Sequence, residues 1–168
     1  MLVMIAASVV LVTLTMLIHY EVLRLASDAL PRVPLPLRSK ILFLVFAAFL
    51  AHTLEVWLYA AAYYFFSEVW THGRLALDGR PLAELADYLY FSTVTYTSLG
   101  LGDVLPEREL RLLVGVEALN GLVLIGWSAS MTYLAMEKFW PLHARHRSQQ
   151  AHPHAPTPGH SHEHRSAD

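Results

Sequence analysis

Three long apolar runs, parted by polar stretches, dominate the order of residues along this chain. The first occupies Met1 to about Ile18 and ends in His19, Tyr20, Glu21 and Arg24. It lacks the basic start and small-residue cleavage pattern of a secretion signal, so it reads as a retained membrane helix within residues 1–25. The second runs from Ile41 to Phe66. At a rise of about 1.5 Å per residue, a helix of that length crosses a hydrocarbon core of about 30 Å. Tyr59, Tyr63, Tyr64, Phe65, Phe66 and Trp70 gather at its end as an interfacial aromatic belt. The third, Leu110 to Trp140, closes with Lys138, Phe139, Trp140 and Pro141: a snorkelling cation, interface aromatics and a helix stop.

The intervening stretches differ in kind. Residues 26–40 carry Pro31, Pro34 and Pro36 at a spacing that no helix interior accepts, so they predict a linker. Arg32, Arg38 and Lys40 put that linker on the cytoplasmic side, and Arg145 and Arg147 do the same for the far end of the third run. The N-terminus then lies outside and the C-terminus inside. Ser67 to Leu82, with Gly73, Asp78, Gly79 and Pro81, predicts an extracytoplasmic loop. Residues 84–96 are moderately apolar but too short to span, which suits a re-entrant helix. Residues 141–168 are rich in His, Pro, Ser and Gln with no apolar period, and predict a disordered tail.

Composition supports a bilayer as solvent. Of 168 residues, 55% are hydrophobic and only 15% charged, too apolar for a small soluble domain. There is no Cys, which excludes disulfides and thiolate metal sites. The spans hold no HExxH and no nucleophile elbow, so an enzyme is not expected. No helix repeats Arg every third residue, so there is no recognisable voltage sensor. The expected class is an all-α membrane protein of the cell membrane, multi-pass, with the lipid bilayer as partner and nothing that points to nucleic acid.

The chemistry concentrates between the second and third runs, in Thr97, Ser98, Leu99, Gly100, Leu101, Gly102 and Asp103. An ion crossing a membrane must exchange its water shell for oxygens at fixed spacing, which backbone carbonyls supply. An ordinary strand points alternate carbonyls to opposite sides. Left-handed backbone angles, cheap for glycine, turn them toward one axis, and Gly100 and Gly102 alternate as that requires. Thr97 or Ser98 adds a hydroxyl at the inner end, and Asp103 an anionic ring at the outer mouth. The helix before it ends in carbonyls that carry partial negative charge toward the pore interior.

The run Thr97-Ser98-Leu99-Gly100-Leu101-Gly102-Asp103 resembles the pore-loop signature T-x-G-[YF]-G-D of the potassium channel superfamily, and is especially similar to the loops of two-pore-domain potassium channels. The compact chain suits a single-pore-loop channel of prokaryotic type. The resemblance covers roughly Ile41 to Trp140: outer helix 41–66, pore helix 84–96, filter 97–103 and inner helix 110–140. It implies a homotetramer, since one chain offers one loop, with permeant monovalent cations and K+ ions bound in the filter and no other cofactor. It implies a carbonyl ladder from Ser98 to Leu101 and packing of Tyr90 and Phe91 around the filter. Ser98 stands where the family has Thr, and Leu101 where it has Tyr or Phe. Strict potassium selectivity and a weakly selective cation filter therefore both stay open.

Two spans carry ionisable groups deep in apolar sequence. His52 and Glu55 share one face of the second helix, and Glu117 and Asn120 one face of the third. Such groups are costly in hydrocarbon and pair with one another, so the two pairs are expected to meet behind the pore helix. They form either a proton-sensitive network supporting the filter or a plain interhelical lock. Gly115, Gly121 and Gly126 serve a gating bend or close packing, and Ser128, Ser130 and Thr132 line a cavity or back-bond within the helix. The tail histidines, His160, His162 and His164 above all, are weak candidates for binding Zn, Ni or Cu. A metal-sensing or metal-transport scaffold built on His52, Glu55 and the tail is the competing function.

Overall fold

The computed structural model describes residues 1–139 except 33, 35, 71, 72, 78, 79 and 83. Trp140 and the whole histidine-rich tail, including His160, His162 and His164, lie outside the described residues, as do Asp78 and Gly79 in the loop. Three helices are long and apolar enough to cross a membrane, over Leu2–Ala29, Ser39–Val69 and Leu110–Lys138. The elements are α1 (Leu2–Ala29), α2 (Leu37–Tyr64, prolonged by a π-helical turn at Phe65–Val69), β1 (Leu75–Leu77), β2 (Arg80–Pro81), α3 (Leu85–Tyr96), β3 (Val104–Pro106) and α4 (Leu110–Phe139). α2 packs on α1, α3 and α4, and α1 also packs on α4.

Several boundaries differ from the sequence expectation. α1 continues to Ala29, beyond its apolar run, because its buried stripe does: Met4, Ser8, Leu11, Thr15, His19, Leu23 and Ala26 follow one another at steps of three or four. His19 is therefore a buried mid-helix residue and not an interfacial one. The connection to α2 is correspondingly short, and Arg38 and Lys40 belong to the first turn of α2. Pro36 stands at the N-cap with an extended backbone, where a missing N–H costs nothing. The presumed aromatic belt splits in two. Tyr59 and Tyr63 are fully buried in the core, while Tyr64, Phe65 and Trp70 are exposed. The phenol oxygens of Tyr59 and Tyr63 find partners inside, which permits burial of rings that otherwise suit the interface.

The loop between α2 and α3 is not wholly irregular. β1 pairs antiparallel with β2 and with β3, in the order β2-β1-β3, with Leu75 opposite Pro106 and Leu77 opposite Val104. Both prolines, Pro81 and Pro106, fall on edge strands, where a missing donor is tolerated. The sheet joins the segment before α3 to the segment leaving the glycine-bearing loop. Glu107 N–H donates to the Arg74 carbonyl at 3.0 Å. Gly73 is needed here, since a Cβ would come within 2.6 Å of the Glu107 carbonyl. Below the sheet, Tyr88 of α3 donates to Glu68 of the π-turn at 2.9 Å. Burial, with help from that carboxylate, pushes its hydroxyl up to about 12.

α4 comes into close contact with α3 at Gly121. A Cβ there would collide with the carbonyl oxygen of Tyr96, the last residue of α3. Among the described residues, a Cβ at Gly115 or Gly126 meets no atom within 4 Å. Gly121 thus serves close packing. Gly121→Ala is expected to lower the thermal unfolding temperature in detergent, by the roughly 1–3 kcal/mol of an overpacked contact. Gly126→Ala is expected to leave it unchanged or higher, and an equal loss at both positions would contradict this assignment.

Candidate functional site: a filter-like loop and the network behind it

α3 is a twelve-residue helix that ends at Tyr96, and the chain turns at once into residues 97–103. Three carbonyls of its last turn, those of Thr93, Val94 and Thr95, are taken up by the loop that follows. Thr97 N–H donates to Thr93 at 3.2 Å, Ser98 N–H to Thr95 at 2.9 Å, and both Leu99 and Gly100 N–H to Val94 at 3.0 and 3.3 Å. The Thr97 hydroxyl donates to the Thr93 carbonyl at 2.8 Å. The loop therefore grips the helix end with its own N–H groups, in the manner of a C-terminal cap. The carbonyls of residues 97–102 do not take part in those bonds.

Ser98, Gly100 and Gly102 have φ of +57°, +54° and +79°. Every second residue is thus left-handed, including one that is not glycine, and a serine in that region costs of order 1 kcal/mol. Residues 97–102 are all exposed on the single chain. Leu99 and Leu101 stand out at 65% and 60% exposure. Such apolar exposure beside a polar backbone marks a face that other matter covers.

Asp103 is held from behind. Its Oδ2 accepts from the Tyr90 hydroxyl at 2.7 Å, and its Oδ1 from Val104 N–H at 3.0 Å. The hydrogen bond from Tyr90 holds the Asp103 carboxyl below its ordinary value, and the same bond raises the Tyr90 hydroxyl above its own. Tyr90 and Phe91, grouped by sequence, part company. Tyr90 clamps the loop exit, whereas Phe91 is buried with its ring edge-on to Tyr63 of α2, centroids 5.2 Å apart.

Two carboxylates lie behind α3, both fully buried. Glu117 of α4 accepts from Tyr63 of α2 and from Ser92 of α3, the latter at 2.5 Å. Glu55 of α2 accepts from Tyr96 and, at 2.9 Å, from Nδ1 of His19 on α1. His52 Nδ1 lies 2.8 Å from the Tyr96 oxygen and 3.3 Å from Glu55 Oε2. With Tyr96 donating to Glu55, His52 is the donor to Tyr96. The other nitrogen of His19, Nε2, is 3.1 Å from the Ser128 hydroxyl of α4. Asn120 donates to Thr15 of α1 at 2.8 Å and to Tyr59 of α2 at 3.2 Å.

His52 and Glu55 are thus in contact, but Glu117 and Asn120 bond to different elements. No hydrogen bond among the described residues joins the two pairs directly. Both carboxylates instead reach α3, one at its middle and one at its last residue. Ser128 is buried against His19, and Ser130 back-bonds to the Gly126 carbonyl at 2.9 Å. Sequence reasoning missed His19, Ser92 and Tyr96 as members of this network. The stripe spacing of α1 carries the signal for His19.

Three membrane-length helices, with a short helix and an alternating left-handed loop set between the second and third, define a pore-loop membrane protein. Residues 40–138 match the family model described as Ion channel, and with more than half its length matched the chain belongs to that potassium-channel-like family of ion channels. No curated protein and no solved structure matches the chain. α1 precedes the matched region.

Two outcomes follow. The Tyr90–Asp103 clamp needs an ionised carboxylate and a protonated phenol. Its stabilisation is present above the unfolded carboxylate value near 3.8 and lost as pH falls through the lowered folded value. It is equally present below the unfolded phenol value near 10.0 and lost as pH rises through the raised one. The difference in unfolding temperature between the native chain and Tyr90→Phe should be flat from about pH 5 to 9 and shrink outside that window. A difference that grew on acidification would contradict the clamp. Separately, Ser92→Ala and Tyr63→Phe each remove one donor to Glu117. In a double-mutant cycle they should couple by roughly 0.6 kcal/mol, and by at most about 1.7 kcal/mol, as hydrogen bonds between membrane helices do. Strict additivity would mean that the carboxylate does not link them.

Proposed function

We propose that the chain is one subunit of a homotetrameric, passive cation channel of the cell membrane, most permeable to potassium, that conducts through four copies of the loop 97–103. The observation that carries this reading is the left-handed backbone at every second residue, Ser98, Gly100 and Gly102, on an exposed loop. Alternation of hand turns successive carbonyls to one side, the arrangement that replaces an ion's hydration shell. Four loops around one axis would cover Leu99 and Leu101 and give each ion a ring of oxygens, and closed rotational symmetry is the ordinary way to bring four identical loops together. α3 would then be re-entrant, with its C-terminal end aimed at the axis.

The proposed orientation has the N-terminus outside and the C-terminus in the cytoplasm. It rests on the basic residues Arg32, Arg38, Lys40 and Lys138 at one end of the bundle. The Met1 ammonium pairs with Glu109 at the start of α4, so the N-terminus shares the end of the bundle that leads into α4 from the sheet. A weakly selective cation pore is the second reading, and Leu101 favours it. Its side chain has no polar atom with which to brace the backbone against neighbouring aromatics.

The test is ion flux from liposomes loaded with potassium chloride and diluted into sodium chloride, with a proton ionophore and a pH-sensitive dye. Efflux well above protein-free vesicles is expected, and its loss by at least tenfold in Gly100→Ala, because alanine is strained at φ +54°. Sodium-loaded vesicles separate the two readings: little efflux supports a potassium filter, and equal efflux the weakly selective pore. Potassium efflux unchanged in Gly100→Ala would remove the loop from the conduction path.

A further inference from the structure

The polar cluster at the foot of the loop has a composition that a plain hydrogen-bonded lock does not need. It brings together two imidazoles and one carboxylate from two helices, and one ligand atom from each of His19, His52 and Glu55 lies within 4.8 Å of the other two. We propose that these three residues form a binding site for a divalent transition cation of the zinc class, placed between α1, α2 and the last residue of α3.

The donor set suits that ion. Two histidine nitrogens and a glutamate oxygen with one open position make the three-ligand arrangement that zinc takes when a fourth site is left for water or another oxygen. In a tetrahedral zinc site, adjacent ligand atoms are roughly 3.4 Å apart. Here Nδ1 of His19 is 2.9 Å from Glu55 Oε1, and Nδ1 of His52 is 3.3 Å from Glu55 Oε2. The Tyr96 oxygen lies beside the three ligands, 2.8 Å from His52 Nδ1. Coordination would draw the three ligand atoms, now within 4.8 Å of one another, toward that spacing.

Three further features support a site over a lock. First, His19 has a supporting partner of the kind that orients metal-bound imidazoles. The Ser128 hydroxyl lies 3.1 Å from Nε2, so the proton can sit there while Nδ1 offers its lone pair to a cation. Binding then requires only that the Nδ1 proton move to Nε2 on each ring, because Glu55 already faces both nitrogens. Secondly, one of the three ligands borders open space, while His19 and Glu55 are fully buried. His52 is only part-buried and lines a cavity of about 420 Å³ with Phe49, Thr53, Thr93, Tyr96 and Thr97. Thirdly, the cation's charge has compensation nearby. Glu55, buried against both imidazoles, neutralises one unit. Zinc, and after it copper or nickel, suits imidazole donors better than calcium or magnesium does.

This inference goes beyond the channel reading and does not depend on conduction. The probes are zinc chloride and cobalt chloride added to the purified full-length chain in detergent, with the seven histidines between 143 and 164 replaced by Asn so that the tail contributes nothing. One zinc per chain is expected by calorimetry. With cobalt, absorption bands of a four-coordinate nitrogen–oxygen site are expected. His19→Gln and His52→Gln should each abolish the bands and weaken zinc by at least a hundredfold. Ser128→Ala keeps all three ligands and should weaken zinc about 10–100-fold. It decides the matter if a histidine variant fails to fold. Absence of zinc binding in the tail-substituted chain, or zinc affinity unchanged in all three variants, would overturn the site.

Discussion

A carboxylate removed from water must be met by donors wherever it goes, and this bundle buries two. Glu55 and Glu117 project from the helices that flank α3, and each finds one of its donors on α3 itself, at Tyr96 and Ser92. Leaving either carboxyl group without a partner in an apolar interior would cost of order 1–3 kcal/mol, and more where it is ionised. The position and rotation of the short helix are consequently dictated from behind. Apolar packing alone is less exacting in a membrane, where lipid tails solvate a leucine about as well as another helix does.

That fixed helix is what allows the loop after it to hold its backbone angles. Ser98 sits in a region that L-residues avoid, and such strain persists only where the surroundings over-determine it. One end of the loop is tied by four N–H groups to the carbonyls of Thr93, Val94 and Thr95. The other end is tied by Asp103 to Tyr90 and continues into the sheet through Val104. Both ties return to α3. The loop is a short bridge with its two feet on one rigid element, and the carboxylates behind fix that element to α2 and α4.

Much of this was legible in the sequence. The three spans announced themselves by length and hydropathy, and the loop by alternating glycines between Ser98 and Asp103. What escaped notice did so for physical reasons. His19 lies just past the end of an apolar run and looks interfacial, because a linear reading does not see that the buried stripe of α1 continues to Ala26. Ser92 and Tyr96 look like ordinary members of a short apolar helix. Their importance comes from Glu117 and Glu55, 25 and 41 residues away along the chain. The small sheet was hidden because its strands are two or three residues long, below the length at which alternation can be recognised. Tyr59 and Tyr63 illustrate the converse. Their place near a helix end suggested the interface, yet partners for their hydroxyls took them into the core.

The missing side chain at Gly121 has a mechanical consequence. With the Tyr96 carbonyl pressed against it, the N-terminal part of α4 and the short helix behave as one block. Sliding or rolling of that part of α4 is transmitted to the foot of the loop without slack. A swing of the C-terminal half of α4 leaves the loop undisturbed only if its pivot lies beyond residue 121. Gly126, with open space around it, is the first position past the contact where the helix has both room and backbone freedom to bend.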